Sequence, residues 1–277
     1  MYELPPENIE LIVMKLTAIT REQFATKAWW RPASYAFAAQ SNILPVVVSE
    51  LSKLVPSMPL GFVRTESAYQ LVAITSVQPG NNCFVAQDGN WIGDYIPATV
   101  RAYPFQLVKP QDSEDSVLCF DESSALLVAA GQGEAFFDAD GPSQAIKTIL
   151  NFLSETEASR GVTQRLVEAL QSANVIQPWK LNLLQEGQTV PVEGLYRIDE
   201  AALNTIADES YLSLRKAGAL TLAYAQLFSM NQLAMLSKAA EVQARVREQL
   251  QTQALAQTQG VGNLSFGHVE GEIVRFS

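Results

Sequence analysis

The distribution of proline limits the folds open to this 277-residue chain more than any other feature. Ten of the 13 prolines lie at or before Pro110, which leaves three for the remaining 167 residues. Proline interrupts helix interiors and the centres of sheets. We therefore expect strands, turns and short helices in the first part of the chain and a larger share of helix in the last part.

The first part contains several segments with strand character. YQLVAITSVQ (69–78), FQLVKP (105–110) and SVLCFDE (116–122) are predicted strands because they are apolar or β-branched and end at turn residues. FVAQDGNW (84–91) predicts a hairpin, since its Asp-Gly pair favours a tight turn. VVVSELSKLV (46–55) mixes β-branching with a helical repeat of apolar residues, and we interpret it as a helix.

The second part has helical periodicity. Residues 143–158 predict a helix that residues 163–176 continue, with Pro142 near its first turn. Residues 181–198 return to alternation and predict a late hairpin. Most of the chain after Asp199 is again helical in pattern.

Two aspartates and one apolar segment give local detail to these late helices. Asp199 and Asp208 each precede a helical run and are predicted to cap its N-terminus. Residues 219–240 are apolar on nearly all sides, which predicts a buried central helix. The predicted fold class is α+β, with a β-rich N-terminal half packed against a mainly helical C-terminal half.

The chain contains no internal repeat and no long linker, which favours one integrated unit. We predict a single α+β domain over residues 1–240, a Gln-rich helix over 241–260 and a flexible tail over 261–277. The Gln-rich segment has six Gln between 243 and 259, and we consider it either a mobile helix or a helix that binds a partner.

Charge narrows the choice of partners. The net charge is −10 with a pI of about 4.7, and no run of Lys and Arg occurs, so we expect no nucleic-acid binding. No apolar run approaches a membrane span and no signal peptide is recognisable, so we expect no membrane insertion and a cytoplasmic location, with non-classical secretion left open. A charged fraction of only 17% favours a protein or peptide partner, or a homo-oligomer.

The scarcity of histidine removes several kinds of active site. The one histidine, His268, lies in the predicted tail. A Ser-His-Asp or Cys-His site needs a histidine beside its nucleophile, and zinc or iron sites of the common His-rich types need two. Cys83 and Cys119 are interpreted as small buried hydrophobic residues. We predict no metal and no cofactor, and no catalytic residue is assigned.

Two short motifs resemble catalytic elements without their usual context. Gly131-Gln132-Gly133 forms a GxG that lacks the third glycine of a dinucleotide-binding loop, and we interpret it as a turn. Ser213 and Lys216 form an S-x-x-K pair, but the companion motifs of serine acyl enzymes are absent. We interpret this pair as part of a polar helix face.

The segment GNWIGDYIPATVRAYPF (89–105) concentrates aromatic and charged side chains. One interpretation is a corner of the core, with Asp94 capping a helix over 95–102 that Pro104 ends. The alternative is an aromatic-walled pocket in which Arg101 reaches an anionic or peptide ligand. The candidate ligand-binding residues are Trp91, Asp94, Tyr95, Arg101 and Tyr103.

This segment resembles the signature of the SapC family of bacterial proteins, W-x-x-x-Y-x-P-x-x-V-R-x-Y-P-F. GLYRIDEAALNTIADESYLSLRKAGALTLAYAQLFSMNQL (194–233) is similar to the family's C-terminal block, and GEAFFDADGPSQA (133–145) to its turn before a helix. The resemblance runs from about Pro45 to about Leu236. It implies an association with surface-layer gene clusters and peptide transport, and it implies no catalytic residues.

The leading functional hypothesis is a non-catalytic binding or accessory protein of the SapC type. It would act on a peptide, protein or surface-polymer partner through a groove near Trp91, Tyr95, Arg101 and Tyr103. One alternative is an enzyme without histidine or metal that uses carboxylates on a small molecule or sugar. A second alternative is a structural component of a surface layer.

Overall fold

The computed structural model describes residues 15–66, 68–110, 113, 115–185 and 188–261. The strands of this part of the chain are β1 (Leu16–Ala18), β2 (Lys27–Trp29), β3 (Ile43–Pro45), β4 (Leu60–Arg64), β5 (Tyr69–Ile74), β6 (Phe105–Val108), β7 (Val117–Asp121), β8 (Leu127–Ala129), β9 (Glu134–Ala135), β10 (Phe137–Asp138), β11 (Gly141–Pro142), β12 (Ile176–Pro178), β13 (Leu181–Gln185), β14 (Gln188–Val192) and β15 (Leu195–Ile198).

The helices of the same residues are α1 (Arg21–Phe24), α2 (Leu51–Leu54), α3 (Ala98–Arg101), α4 (Gln144–Ser172), α5 (Glu200–Thr205), α6 (Asp208–Ala217), α7 (Ala219–Ser229) and α8 (Leu233–Val261). Short 3₁₀ turns are formed by Ala36–Ala38, Val48–Glu50, Glu122–Ser124 and Met230–Gln232. Strands lie mostly in the N-terminal half and helices in the C-terminal half, so the predicted α+β class is confirmed. The predicted strands of the first part correspond to β5, β6 and β7. Of the helix predicted over 46–55, the 3₁₀ turn Val48–Glu50 and α2 form, whereas Val47 is extended.

The larger sheet is antiparallel and has the order β12-β15-β4-β5-β3. Its core is mostly aliphatic, and α7 is bonded directly to it. The Gln226 side chain accepts from Ile198 N–H at 2.9 Å and donates to Leu60 O at 3.0 Å. Ser229 Oγ accepts from Leu60 N–H at 2.9 Å. These buried side-chain bonds fix α7 to the backbone of β4 and β15, since buried polar groups need partners.

Two three-stranded sheets form a second, smaller core. Their orders are β1-β7-β6 and β8-β2-β9. This core is built from aromatic rings, with aliphatic contributions from Ile146 and Leu153 of α4. Its aromatic members are Phe24, Trp29, Phe105, Phe120 and Phe136.

Helix α4 joins the two cores. Its first half packs on the aromatic core, and its second half contributes Val167 and Leu170 to the aliphatic core. The sequence predicts a helix over 143–158 that continues over 163–176, and the structure has one continuous helix of 29 residues. Pro142 lies just before this helix, at the end of β11, and Ser143 caps the helix by accepting from Ile146 N–H at 3.3 Å.

The late helices confirm one predicted cap and correct the other. Asp199 accepts from Ala202 N–H at 3.1 Å and caps α5 as predicted. Asp208 does not cap, because α6 begins at Asp208 itself and Ala207 occupies the cap position. Its carboxylate lies in the first turn, where the helix dipole favours a negative charge.

The segment predicted as a buried central helix is divided between α7 and α8 and is only partly buried. Phe228 is 63% exposed and Met235 is 49% exposed, so one side of the segment faces outward. Helix α8 then runs without interruption from Leu233 to Val261, through the region predicted as a Gln-rich helix. Gln243 attaches α8 to the body, since its amide donates to Asn82 O at 3.1 Å and to Val85 O at 3.0 Å.

Candidate functional site

The predicted hairpin at 84–91 forms and delivers Trp91 to the core. Val85 and Trp91 are bridged antiparallel, and Gly89 N–H donates to Ala86 O at 2.9 Å. Gly89 has φ +82°, and a Cβ there would lie 2.6 Å from Ser34 Oγ, so glycine is needed for both conformation and space. The Asp88 carboxylate accepts hydrogen bonds from Asn90, and these bonds stabilise the turn. They also lower the pKa of Asp88.

The Trp91 side chain packs against other aromatic rings of the core. Its ring stacks on Phe84 with centroids 5.7 Å apart and meets Tyr35 edge-on at 5.9 Å. Its Nε1–H donates to Tyr95 O at 3.0 Å, so the polar tip of the indole is also occupied. Trp91 therefore supports the backbone of the segment from behind.

A buried carboxylate that the sequence did not reveal organises the next turn. Glu50 is 5% exposed, and its Oε1 accepts from Tyr95 O–H at 2.9 Å and from Ala98 N–H at 2.6 Å. Its Oε2 accepts from Val47 N–H at 3.2 Å. Glu50 thus satisfies the N-terminus of α3, the role predicted for Asp94, which is exposed and precedes the helix by four residues. The predicted cap at Asp94 is wrong, and of the one or two helical turns predicted over 95–102 one forms, as α3 (Ala98–Arg101).

Glu50 was missed because its spacing along the sequence carries no motif. The one sequence signal for a buried carboxylate is a lone acid inside the apolar run VVVSELSKLV. A carboxylate is buried only when hydrogen bonds compensate for its lost hydration. Two of the three compensating donors come from residues 45 and 48 positions away along the chain.

Arg101 lies on the outer side of this network. Its Nε–H donates to Ile96 O at 3.0 Å and its Nη2 donates to Tyr95 Oη at 3.1 Å. The guanidinium sits over the rings of Phe152 and Tyr95 at 4.8 and 5.6 Å from their centroids. Arg101 is exposed, and within the described residues it forms no ion pair with a carboxylate.

Tyr95 connects the exposed cation with the buried anion. Burial raises the pKa of Tyr95, the Glu50 carboxylate raises it further, and Arg101 opposes both. The phenol therefore stays protonated, donating to Glu50 and accepting from Arg101. The chain Arg101–Tyr95–Glu50 places a positive charge two hydrogen bonds away from a buried negative one.

Tyr103 lies on a different side of α3. Its ring stacks on Phe37 with centroids 3.9 Å apart and an angle of 17° between the planes. Burial raises the pKa of Tyr103, and the carboxylate of Asp121, which is fully buried, raises it further. The structure thus brings Trp91, Tyr95 and Arg101 into one network and places Tyr103 and Asp94 outside it.

A cavity of about 520 Å³ lies where α4 passes from one core to the other. We call it the α4 cavity. On one side it is lined by the middle of α4, and on the other by α3, β6 and the Phe37–Tyr103 stack. The four lining residues of α4 recur at helical spacing on one face: Leu153, Thr156, Glu157 and Arg160.

The lining of the α4 cavity combines apolar and polar groups. Phe37, Leu107 and Leu153 supply apolar surface, while Gln70 and Gln106 supply amides. Glu157 is the one carboxylate among the lining residues, and its Oε2 accepts from Arg160 Nε at 3.0 Å.

The predicted site residues differ in their relation to this cavity. Tyr103 lines it, whereas Trp91, Asp94, Tyr95 and Arg101 are not among its lining residues. Arg101 nevertheless borders it, since Val100 and Ala102 line the cavity on either side of it in sequence. Its guanidinium also covers Phe152, which precedes the lining residue Leu153.

A second cavity of about 280 Å³ lies beside the end of α4. Arg64, Tyr69 and Asn174 are among its six lining residues, and none of the predicted site residues is. It is smaller than the α4 cavity and lies below the usual size of ligand pockets. We therefore place the candidate site in the α4 cavity.

The remaining motifs have structural explanations or lie elsewhere. Ser213 and Lys216 are exposed on α6, and the GxG motif forms the turn between β8 and β9. Cys83 and Cys119 are both buried and unpaired, as predicted, and burial raises the pKa of each thiol. His268 lies outside the described residues, and within them no three His, Cys, Asp or Glu side chains cluster as metal ligands would.

The comparisons with known proteins give one result. The SapC family model matches residues 19–236 of the chain. No curated protein and no solved structure matches it. None of the helices in the described ranges is long and apolar enough to cross a bilayer.

Proposed function

The chain belongs to the SapC family, and on that premise we propose that it is a non-catalytic binding protein whose α4 cavity holds a segment of a peptide or protein partner. The observation that carries this proposal is the α4 cavity itself. Its volume of about 520 Å³ falls within the range of roughly 300–1,000 Å³ typical of ligand sites. Its mixture of apolar surface with a few amides and hydroxyls suits a peptide better than a wholly apolar ligand.

The acids around the cavity favour binding over catalysis. Carboxylate catalysis on a sugar needs two acids facing each other at roughly 5–9 Å. The described lining of the α4 cavity offers Glu157 alone, and that carboxylate is paired with Arg160. This is why the binding hypothesis is preferred over the carboxylate enzyme.

The predicted ligand contacts divide into two groups under this proposal. Tyr103 contacts the ligand directly, and Arg101 offers its exposed guanidinium at the border of the cavity. Trp91 and Tyr95 do not contact the ligand but stabilise, through their hydrogen bonds, the backbone that leads into α3. Asp94 is exposed near the same turn and remains a predicted contact.

The test is a cavity-filling variant with a matched control on the same helix. Thr156→Trp places an indole in the cavity, because Thr156 lines it and its hydroxyl bonds only to its own helix, at Phe152 O. Glu155→Trp adds the same indole at the neighbouring exposed position, which does not line the cavity. Both substitutions are at exposed or half-buried helix positions, so we expect both proteins to fold.

The readout is capture of partners from the native host, identified by mass spectrometry. We expect a partner that wild type and Glu155→Trp retain and Thr156→Trp loses. Equal recovery of every partner by all three proteins would show that the α4 cavity is not the binding site.

A further inference from the structure

Among the described residues, the strand β6 has one edge that no other strand pairs with, and this edge lies beside the α4 cavity. In the sheet β1-β7-β6, β7 is central and β6 is an outer strand, and no other strand of the described residues pairs with β6. Phe105, Gln106 and Leu107 of β6 line the cavity. An unpaired strand edge is a template for another extended chain.

The hydrogen bonds around β7 show which backbone groups of β6 point outward. Ile19 N–H donates to Leu118 O and Glu122 N–H donates to Lys15 O, so Leu118 and Glu122 direct their backbone groups to β1. Asp121 N–H donates to Pro104 O at 2.9 Å, on the opposite side. Because the pattern alternates along an antiparallel strand, one set of β7 residues serves β1 and the other serves β6.

The register then assigns each residue of β6. Gln106 pairs with Cys119 and Val108 with Val117, in phase with the bond between Pro104 and Asp121. Phe105 and Leu107 occupy the alternate positions, which do not bond to β7, so their backbone groups face away from β7. Phe105 N–H is already used, since it donates to Ala102 O at 2.8 Å.

Three backbone groups are left at this edge: Phe105 C=O, Leu107 N–H and Leu107 C=O. Within the described residues none of the three has a hydrogen-bond partner. Leu107 is partly buried, and its side chain packs against the aromatic core. Unpaired backbone groups in such a position lose stabilisation that a partner chain can supply.

We propose that the α4 cavity binds an extended peptide by strand addition, with the peptide main chain hydrogen-bonded to Leu107 and to Phe105 C=O. This inference rests on the proposed function and specifies its ligand. The four residues of β6 span about 13 Å, which accommodates about four peptide residues. Alternate peptide side chains then face Leu107 and Leu153 on one side and solvent on the other.

Charge defines the peptide further. The exposed guanidinium of Arg101 borders the cavity and forms no ion pair within the described residues. A peptide that carries one acidic residue beside the strand-adding segment gains a charge-assisted hydrogen bond there. The occupant is therefore an extended segment of a partner protein, apolar at alternate positions and acidic at one end.

The experiment begins with a displayed library of random 12-residue peptides panned against the full chain. The best-enriched peptide is synthesised with a fluorophore, and its affinity is measured by anisotropy. It is then N-methylated at one residue at a time, which removes one backbone donor and adds bulk. We expect losses of about fivefold at alternate residues and little change at those between, since each hydrogen bond contributes about 1 kcal/mol.

Two variants test the protein side of the same bond. Leu107→Ala and Leu107→Pro both shorten the side chain, but only Leu107→Pro removes the outward N–H. Proline is tolerated on an outer strand where the N–H faces away from the ladder, and the ladder here uses Gln106 and Val108. We expect Leu107→Pro to bind the peptide about fivefold more weakly than Leu107→Ala, with circular dichroism confirming that both fold.

The outcomes of these experiments distinguish a failure of strand addition from a failure of the proposed binding function. Strand addition is overturned if no peptide is enriched, if N-methylation shows no alternation, or if Leu107→Pro and Leu107→Ala bind equally. A further outcome is a peptide that fails to bind Thr156→Trp and yet shows no alternation on N-methylation and no difference between Leu107→Pro and Leu107→Ala. That result would support the α4 cavity as the site and contradict strand addition. A peptide that Thr156→Trp binds as well as wild type contradicts the proposed site itself.

Discussion

The two hydrophobic cores joined by α4 are built in different ways. The aliphatic core covers a five-stranded sheet with α7 and the second half of α4, and it is filled mainly by Leu, Val and Ile. The aromatic core lies against sheets of three strands and is filled mainly by Phe and Trp. Its rings meet mostly at steep angles, such as 83° between Trp29 and Phe105 and 80° between Phe120 and Phe136.

This difference shows how small sheets can be stabilised. A three-stranded sheet offers little area, and each aromatic side chain buries about 150–250 Å², more than an aliphatic one. Edge-to-face contacts add about 0.5–1.5 kcal/mol per pair beyond the area. The aromatic core therefore depends on ring geometry, whereas the aliphatic core depends on the amount of buried surface.

The largest expected effect comes from a ring at the centre of the aromatic core. Phe120 is fully buried and meets Phe24, Phe105 and Phe136 at 6.3, 5.2 and 5.4 Å. We expect Phe120→Ala to lower the free energy of unfolding by about 3–5 kcal/mol, measured by urea denaturation.

A pair of conservative variants sharpens the same comparison. Phe120→Leu keeps an apolar side chain but removes three ring contacts, whereas Ile74→Leu conserves both volume and chemistry in the aliphatic core. We expect Ile74→Leu to cost less than about 1.5 kcal/mol and Phe120→Leu to cost more than that. Equal losses would mean that ring geometry contributes nothing special.

We expect an intermediate loss of stability at Glu50, whose carboxylate accepts hydrogen bonds from the 95–98 segment beside the aliphatic core. Glu50→Ala leaves the donors of Tyr95 and Ala98 without their acceptor, so we expect a loss of about 2–4 kcal/mol by urea denaturation. Glu50→Gln retains one acceptor oxygen and should cost less. Glu155→Ala, an exposed site on α4, serves as the control with a change below about 0.5 kcal/mol.

The smallest effect is a pH dependence at Tyr103, beside the aromatic core. Its folded-state pKa is raised above the ordinary value of about 10. The unfolded chain therefore releases this proton first, and the stabilisation present below about pH 10 is lost as the pH rises through the folded-state pKa. Tyr103→Phe should unfold with a shallower loss of stability above about pH 10.

The control for this pH dependence is Phe37→Leu, which removes the stacking ring and keeps the phenol. Urea denaturation between about pH 9 and 11 gives the slope for each protein. A Tyr103→Phe slope identical to that of wild type would show that this hydroxyl has no part in the alkaline loss of stability.

Much of the fold can be derived from local pattern. The strands β5, β6 and β7, the hairpin at 84–91 and the helix cap at Asp199 are all predictable, because each depends on neighbouring residues. Strands of two or three residues, such as β8 to β11, are too short to show a period. Their positions come from pairing with distant partners.

The helical pattern of α4 is visible in the sequence, whereas the location of the site depends on tertiary contacts. Gly161 lies between the two helical segments of the sequence, yet a Cβ there would meet only Arg165 at 3.8 Å, so no backbone requirement calls for glycine. The helix continues because both of its ends are held in separate cores. The α4 cavity is not predictable, since its lining comes from segments as distant as Leu16 and Arg160.

The anchoring of α4 at both ends also determines how its middle moves. Helices open from their termini, and each end of α4 is held by side chains buried in a different core. The turns from Leu153 to Arg160 are thus the last to open, and their amides should exchange with solvent among the slowest in the helix. A ligand entering the α4 cavity meets a wall that is already ordered, so little conformational entropy is lost there on binding.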